Sequence, residues 1–310
     1  MRTVPSRQAC PIPRHRARGV LTSKQAFFSV RHFRDGVLGW TGAGENMRVM
    51  AALKEVCPTF PHPAPAVHPP QLFQNMGDTS LSVVSRQRMA GFMNLSRPVG
   101  STRGTSQCAA DFTRHLLSLM GGGSPAAVFE GTSQKTTTCD GCNGTSAVEQ
   151  GFTSLSLPFP PAPHPPEGLR LQELLASYLA PERLEGDAQY ECGHCKSKQN
   201  ATQSLALTGA PRALLVTLNH YEYDRNQQGA DKHMMPIDTP ATLQLPIEID
   251  GAAGAGMQYT LVAVVFHTGA SLHAGHFICC AADEDSTASW HLLDDTKTSR
   301  CALQEVGSHG

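Results

Sequence analysis

The sequence predicts an α+β fold, because residues with helical periodicity dominate the first half of the chain and short apolar strands dominate the second half. Two Cys-x-x-Cys motifs, Cys139/Cys142 and Cys192/Cys195, lie near the middle and predict a metal site. With 310 residues, the chain is long enough to bury a sizeable core. We therefore expect helices first, strands later and a metal-bearing segment between them.

The helical half begins after an unusual N-terminal stretch. Residues 1–19 are rich in Arg and Pro without apolar periodicity, so we interpret them as a disordered or atypical extension. From Gln25 to Leu53, apolar residues recur at intervals of three and four, which predicts two helices separated by Gly42–Gly44. The same periodicity predicts helices at Ala109–Met120 and at Leu171–Leu179.

The second half contains short runs rich in Val, Leu, Ile and aromatic residues, bounded by Gly, Pro and Asp. These runs are Leu205–Leu207, Ala213–Leu218, Tyr259–Phe266 and His276–Ala282. Such runs are typical of strands, and their spacing predicts an antiparallel sheet.

Charge and hydropathy exclude several classes of protein. Lys plus Arg number 25 and Asp plus Glu 26, so a net charge of −1 argues against binding nucleic acid or an anionic membrane. Apolar runs stay far below the roughly 18 residues that a membrane span needs. We expect a protein of the cytoplasm or nucleus. The alternative is a mitochondrial location, since residues 1–34 contain seven Arg and no acid and so look like a transit peptide. Three early prolines weaken that alternative.

The four paired cysteines predict structural zinc. Disulfide frameworks are a feature of short secreted chains, so free thiols and metal are expected for the ten cysteines here. The spacing of Cys139/Cys142 and Cys192/Cys195 lets two turns present four thiolates tetrahedrally to Zn²⁺, with no open coordination position. Metal-free reduced cysteines are the alternative, and a zinc-ribbon nucleic-acid binder is disfavoured by the neutral charge.

Around these cysteines the sequence resembles the ubiquitin-specific proteases. The stretches that carry the resemblance follow the family's order and are 129–158, 171–224, 259–269, 275–277 and 290–295. The likeness is good over about 105–300 and loose over 20–105. It implies a papain-like cysteine protease fold over 20–310, with a helical thumb (about 20–128), zinc-ribbon fingers (about 129–205) and an antiparallel β palm (about 206–300).

The resemblance also implies ubiquitin and ubiquitinated proteins as partners, and a cysteine, histidine and aspartate as reactive residues. By motif position the base is His276 and the residue that orients it is Asp294, with Asp295 as a helper near the oxyanion. The residues agree, since His276 follows the glycine-containing loop GASLHAG and opens an apolar run. His267, His220 and His273 do not occupy the family's histidine position.

The nucleophile is the exception, and two alignments of the cysteine motif remain open. In the first, Ser80 replaces the cysteine and Asn75 takes the position that stabilises the oxyanion, but Ser80 lies only 27 residues before Gln107. In the second, Gln25–Leu38 is the helix that follows the motif and Arg18 occupies the cysteine position. Spacing favours the second, in which the chain looks truncated or replaced upstream of about residue 19.

Both alignments predict the same chemistry. A serine hydroxyl is far less ionised than a thiol at neutral pH, and arginine is not a nucleophile. Cys10, Cys57 and Cys108 do not stand at either position. The sequence therefore leaves two functional hypotheses, a cysteine deubiquitinase or a pseudoenzyme that binds ubiquitin without cleaving it, and we expect little or no turnover from this chain.

Overall fold

The structure is a computed structural model of the whole chain. The residues that it describes are 26–27, 29–41, 47–56, 109–121, 124–160, 165, 168–219, 221–224, 229–249, 251–271, 274–283, 289–294 and 297–302.

The helices lie where the periodicity predicts them. They are α1 (Arg31–Gly39), α2 (Met47–Val56), α3 (Ala109–Met120) and α4 (Leu171–Leu179), with short 3₁₀ helices at Pro125–Phe129 and Gly186–Ala188. Helices α3 and α4 have the predicted bounds, and α1 and α2 lie on either side of the predicted break at Gly42–Gly44.

The strands occupy most of the remaining described chain. In order they are β1 (Gly131–Cys139), β2 (Thr145–Phe152), β3 (Leu155–Leu157), β4 (Leu169–Arg170), β5 (Glu182–Leu184), β6 (Tyr190–Cys192), β7 (Ser197–Gln199), β8 (Ala201–Gly209), β9 (Val216–Leu218), β10 (Tyr221–Asp224), β11 (Gly229–Lys232), β12 (Ile237–Asp238), β13 (Thr242–Leu245), β14 (Glu248–Ile249), β15 (Ala252–Ala253), β16 (Met257–Thr260), β17 (Ala263–Ser271), β18 (Ala274–Ala282), β19 (Trp290–Asp294) and β20 (Lys297–Cys301).

The chain folds into two compact units. The described part of the first unit covers 129–219 and 242–259, and its largest sheet has the order β2-β1-β8-β5. Helix α4 buries Leu171, Leu174 and Leu175, and the side-chain amide of Gln172 pairs with the backbone N–H and C=O of Gln244 on β13. The long strands β1 and β8 lie at the centre of the largest sheet of this unit.

The second unit contains helices α1 to α3, the hairpin β10-β11 and the four-stranded antiparallel sheet β17-β18-β19-β20. Apolar side chains from the three helices form a core with relative exposures of 1% or less, and they include Phe33, Val37, Met50, Leu53, Phe112, Leu116 and Met120. Their spacing of three or four residues places each set on one helix face, which is why the periodicity predicted these helices.

Alternation along the strands gives the four-stranded sheet two faces. One face carries Cys279, Ala281 and Leu293, against which Ala26 packs. The opposite face carries Cys280 and Trp290, and the strand register places His276 and Asp294 on this side as well. Side chains of the second unit thus pack on both faces of this sheet.

Two strand predictions require correction. The strand predicted at Tyr259–Phe266 is two strands, because the backbone at 261–262 leaves the ladder to bond Ala241 and Ala282. The strand predicted at Ala213–Leu218 begins only at Val216, and it pairs in parallel with β3 rather than antiparallel.

The loop predicted at GASLHAG is shorter than expected. Strand β17 continues to Ser271 and β18 starts at Ala274, with these two residues paired. Gly269 at φ 119° and a register shift between Thr268 and Ser271 let β17 continue past an irregularity. His276 is consequently the third residue of β18 and is held by the sheet.

Among the described residues, no helix combines the length and apolar character needed to cross a membrane.

We expect Leu53→Ala to lower the free energy of unfolding by about 2–5 kcal/mol, because Leu53 is 1% exposed in the helical core. Leu38→Ala is the matched control, since Leu38 is 37% exposed and should cost less than about 1 kcal/mol. Urea unfolding followed by circular dichroism measures both. Equal losses would show that the helices do not pack as described.

Candidate functional site

The four predicted metal ligands converge in the first unit. The sulfur atoms of Cys139, Cys142, Cys192 and Cys195 all lie within 4.8 Å of one another. The Sγ–Sγ distance is 3.9 Å for Cys139–Cys195 and 3.7 Å for Cys142–Cys192. Cys142 and Cys192 are 50 positions apart in sequence, so the fold and not local geometry brings the two motifs together.

Each motif folds into the same tight turn. The backbone N–H of Asn143 donates to the Cys139 carbonyl at 2.8 Å, and the N–H of Lys196 donates to the Cys192 carbonyl at 2.9 Å. Asn143 and Lys196 both have φ 55°, the left-handed conformation that a non-glycine residue adopts at some cost. Two equivalent turns, one on each side, present the four sulfurs to a common centre.

The sulfur geometry fits a tetrahedral metal ion. A divalent metal bound at ~2.3 Å by four thiolates places neighbouring sulfurs about 3.8 Å apart, close to the two Sγ–Sγ distances above. The Cys195 N–H donates to Cys192 Sγ at 3.4 Å and lowers the pKa of Cys192 to about 6, while the adjacent Cys142 thiol raises the pKa of Cys195 to about 12. Four thiols so close ionise together only if a cation compensates their charge.

Charged contacts join the first turn to the main sheet. Arg183 on β5 forms a 2.8 Å ion pair with Asp140 and donates to the Thr202 hydroxyl on β8 at 3.0 Å. The Asp140 N–H donates to the Asn200 carbonyl at 2.9 Å. These bonds orient the Cys139/Cys142 turn relative to β8, the second strand after the Cys192/Cys195 turn.

The histidine and aspartate singled out by the resemblance meet in the second unit. His276 on β18 and Asp294 at the end of β19 contact each other through Nε2 and Oδ1. The His276 side chain is 23% exposed and the Asp294 side chain 41% exposed, so the pair is half-buried. Antiparallel pairing of β18 with β19 brings these two residues together, although 18 positions separate them.

The contact determines which nitrogen of the ring carries a proton. An ionised carboxylate can only accept, so Nε2 of His276 is the N–H donor and Nδ1 of the neutral ring has a free lone pair. Nδ1 is buried, and the described residues give it no hydrogen-bond partner. The ring therefore presents an oriented, unsatisfied base.

The backbone around His276 is held from the neighbouring strand. The Thr268 hydroxyl on β17 donates to the His276 carbonyl at 3.0 Å. The His267 ring packs at a tilt of 54° against Phe277 with centroids 4.7 Å apart and lies over Gly275, where a Cβ would stand 2.2 Å from its Nε2. The same Cβ would stand 2.5 Å from the backbone carbonyl oxygen of Thr268, which a side-chain movement cannot relieve, so glycine is required there.

A second histidine–carboxylate pair on the same sheet was not predicted from the sequence. His291 Nε2 lies 2.7 Å from Asp283 Oδ1, and the Asp283 N–H donates to the Ser289 carbonyl at 2.8 Å. His291 pairs with Ala281 in the ladder and so lies on the opposite face from His276. The sequence contains no signal for this pair, because only the register brings the two side chains together.

The remaining predicted site residues lie outside the described residues. They are Arg18, Asn75, Ser80, Asp295, the cysteines at 10, 57 and 108, and the histidines at 220 and 273. Their roles stay predictions. Among the described cysteines of the second unit, burial raises the pKa of Cys279, and the Cys280 and Cys301 sulfurs lie 4.0 Å apart. A buried, protonated thiol such as Cys279 is a poor nucleophile.

Comparison with known proteins defines the family. The sequence model described as "Ubiquitin carboxyl-terminal hydrolase" matches residues 23–309, and the chain belongs to this family. The structure is similar, with a TM-score of 0.71 and 18% identity, to a chain of "Structure of the SAGA Ubp8/Sgf11/Sus1/Sgf73 DUB module bound to ubiquitin aldehyde", covering 95% of this chain and 67% of that one. The predicted α+β, papain-like fold of the ubiquitin-specific protease type is confirmed.

Curated relatives agree with this assignment. The mouse "Ubiquitin carboxyl-terminal hydrolase 17-like protein A" is 30% identical over 179 residues, which cover 58% of this chain and 32% of the relative. The zebrafish "Ubiquitin carboxyl-terminal hydrolase 48" is 28% identical over 223 residues, covering 68% of this chain and 20% of the relative. The chain thus spans between a fifth and a third of the length of these relatives.

We expect the His276 Nε2–H proton to give a downfield, slowly exchanging NMR resonance, because a carboxylate accepts it in a half-buried site. Asp294→Ala should abolish this resonance. Asp294→Asn should keep roughly half of the downfield displacement, since charge-assisted hydrogen bonds are about twice as strong as neutral ones.

Asp283→Asn is the matched control, because Asp283 contacts His291 on the other face of the sheet. This variant should leave the His276 resonance unchanged. A His276 resonance that survives Asp294→Ala would contradict the described contact.

Proposed function

We propose that this domain binds ubiquitin and carries, in His276 and Asp294, the base and the orienting residue of ubiquitin isopeptide hydrolysis. The observation that supports this proposal is the buried Nδ1 of His276, which has no partner among the described residues while Nε2 contacts Asp294. An imidazole held by a carboxylate through one nitrogen, with the other nitrogen free, is arranged for general-base catalysis.

In the family reaction, Nδ1 accepts the proton of a thiol as the sulfur attacks the carbonyl carbon after the C-terminal glycine of ubiquitin. The same nitrogen then returns that proton to the departing lysine amine, leaving a thioester that water hydrolyses. Asp294 keeps the proton on Nε2 and stabilises the imidazolium that forms between these steps. Asp295 would assist near the oxyanion.

Ala26 belongs to the segment that the second alignment places after the cysteine motif, and it packs against the sheet that carries His276 and Asp294. Ala26 contacts the cluster formed by Cys279, Ala281 and Leu293, on the strands that also carry His276 and Asp294. Ala26 packs on the face of the sheet opposite His276, and Arg18 lies outside the described residues. The preference for the second alignment therefore continues to rest on the spacing in the sequence.

A second candidate function is ubiquitin binding without hydrolysis. The specific observation in its favour is that Arg18 and Ser80 occupy the two possible nucleophile positions. Neither side chain can act as a thiolate at neutral pH, whereas the surfaces that contact ubiquitin need no thiol. In this reading the domain serves as a ubiquitin-binding or scaffolding module for ubiquitinated proteins in the cytoplasm or nucleus.

We further propose that the cysteine cluster binds structural zinc and organises a fingers region over about 129–205, between a thumb (about 20–128) and a palm (about 206–300). All four coordination positions would be filled by protein sulfur, so the ion supplies folding energy and no catalytic water. It would link the Cys139/Cys142 turn to the Cys192/Cys195 turn, which flank strands β2 to β6.

Replacing one thiolate should remove the metal. We expect Cys192→Ser to lower the zinc content from about one ion per chain to near zero and to destabilise the first unit, because a three-sulfur site binds far more weakly. Cys279→Ser is the matched control, since Cys279 is also a buried cysteine but lies outside the cluster. Elemental analysis with thermal unfolding measures both effects. Zinc-free wild-type protein, purified without chelator, would refute the proposal.

Ubiquitin with an electrophilic C-terminus tests the function. We expect saturable, reversible binding of ubiquitin and no covalent adduct, because no cysteine occupies position 18 or 80. Fluorescence anisotropy measures binding, and intact-protein mass spectrometry detects the adduct. An adduct that a single Cys→Ala substitution abolishes would establish the hydrolase and exclude the pure binding module. Absence of both binding and adduct would overturn the whole proposal.

Two introduced thiols provide the controls. Arg18→Cys should gain adduct formation if the second alignment is right, whereas Ser80→Cys should not. In the Arg18→Cys background, His276→Ala should slow the adduct reaction by roughly 10²–10⁴-fold, the usual contribution of a general base. Reaction of Ser80→Cys alone would reverse the choice between the alignments.

A further inference from the structure

A partly buried cation contacts the strand that pairs with His276. Lys232, the last residue of β11, donates from Nζ to the carbonyl oxygens of His267 and Gly269, both at 2.7 Å. Burial lowers the pKa of this ammonium group, since it has lost part of its hydration. Sequence separations of 35 and 37 residues make these long-range contacts within the second unit.

The two carbonyls belong to the irregular end of β17. Gly269 has φ 119°, and the pairing of β17 with β18 shifts register between Thr268 and Ser271. Strand β17 is at the edge of its sheet, and an ammonium group with three N–H donors can bond two carbonyls of one strand at once. Lys232 thus holds the backbone on both sides of Thr268.

The same end of β17 positions His276. Thr268, between the two carbonyls that Lys232 contacts, pairs with His276 and donates its hydroxyl to the His276 carbonyl. The His267 ring lies over Gly275, directly before His276. The Thr268 hydroxyl and the His267 ring, which contact the backbone at Gly275 and His276, therefore belong to residues at or next to a Lys232 contact.

We infer that Lys232 is a positioning residue for His276, acting through the backbone of 267–269 to hold the imidazole against Asp294. This inference rests on the proposed role of His276 as the base. Loss of the ammonium would release the irregular end of β17, and the adjoining residues of β18 would move with it. The imidazole would then sample orientations in which Nε2 no longer meets the carboxylate.

The test is Lys232→Met, which keeps most of the side-chain length and removes the donors, compared with Lys232→Arg, which restores a cation with several N–H groups. In Lys232→Met, the His276 Nε2–H resonance should disappear, and exchange of the Gly275 to Phe277 amides should accelerate about tenfold or more. Lys232→Arg should recover both signals. Lys135→Met, at an exposed lysine on β1 of the other unit, should change neither.

The outcome separates positioning from a purely structural role. If Lys232→Met lowers the melting temperature but the His276 resonance remains, the inference is wrong. If Lys232→Met does not fold, Lys232→Gln replaces it as the test. The Gln amide can donate to one of the two carbonyls, so the His276 Nε2–H resonance should be weakened. An unchanged His276 resonance in Lys232→Gln would contradict the inference. Failure of the wild-type chain to bind ubiquitin would refute the proposed function instead, and the NMR comparison would still report on Lys232.

Discussion

The carboxylate of Asp294 determines what His276 can do. A carboxylate accepts hydrogen bonds and donates none, so its contact with Nε2 leaves Nδ1 as the basic nitrogen. This arrangement requires a register of β18 against β19 that brings together residues 18 positions apart, and a one-residue slip would send the two side chains to opposite faces. The packed faces of the sheet, with Trp290 and Cys280 on one side and Leu293 on the other, oppose such a slip. The chemistry of the site thus depends on core packing several residues away.

The cysteine cluster applies a different constraint to the other unit. Four thiols within 4.8 Å bring two distant turns together, and without a cation only some of them can ionise. Polar contacts made by Arg183 and Asp140 preorganise one turn, which lowers the entropy lost when a metal binds. Fold and metal affinity are therefore coupled in this unit, whereas in the second unit apolar packing together with polar contacts from Thr268 and Lys232 orders the sheet that carries His276 and Asp294.

Much of this was predictable from local patterns. The bounds of α3 and α4 follow from apolar residues at three- and four-residue intervals, and the cysteine spacing predicted a cluster that the structure brings together. The pairing of His276 with Asp294 came from a family resemblance, since periodicity does not identify cross-strand partners. The break at 261–262, the parallel pairing of β3 with β9 and the contacts of Lys232 were missed, because each depends on residues distant in sequence. An apolar run predicts a strand but carries no information about its neighbour.

Hydrolysis would require a thiol next to the buried Nδ1 of His276, whereas binding alone would not. Leaving such a group unpaired costs on the order of 1–3 kcal/mol, and in folded proteins exceptions of this kind concentrate at functional sites. A thiol that approached this nitrogen would satisfy it and be activated by it in the same contact. Arginine or serine at the aligned position supplies no thiol to this nitrogen. Whether a domain of this fold is an enzyme or a binding module therefore depends on whether a thiol sulfur faces the lone pair on Nδ1 of the histidine.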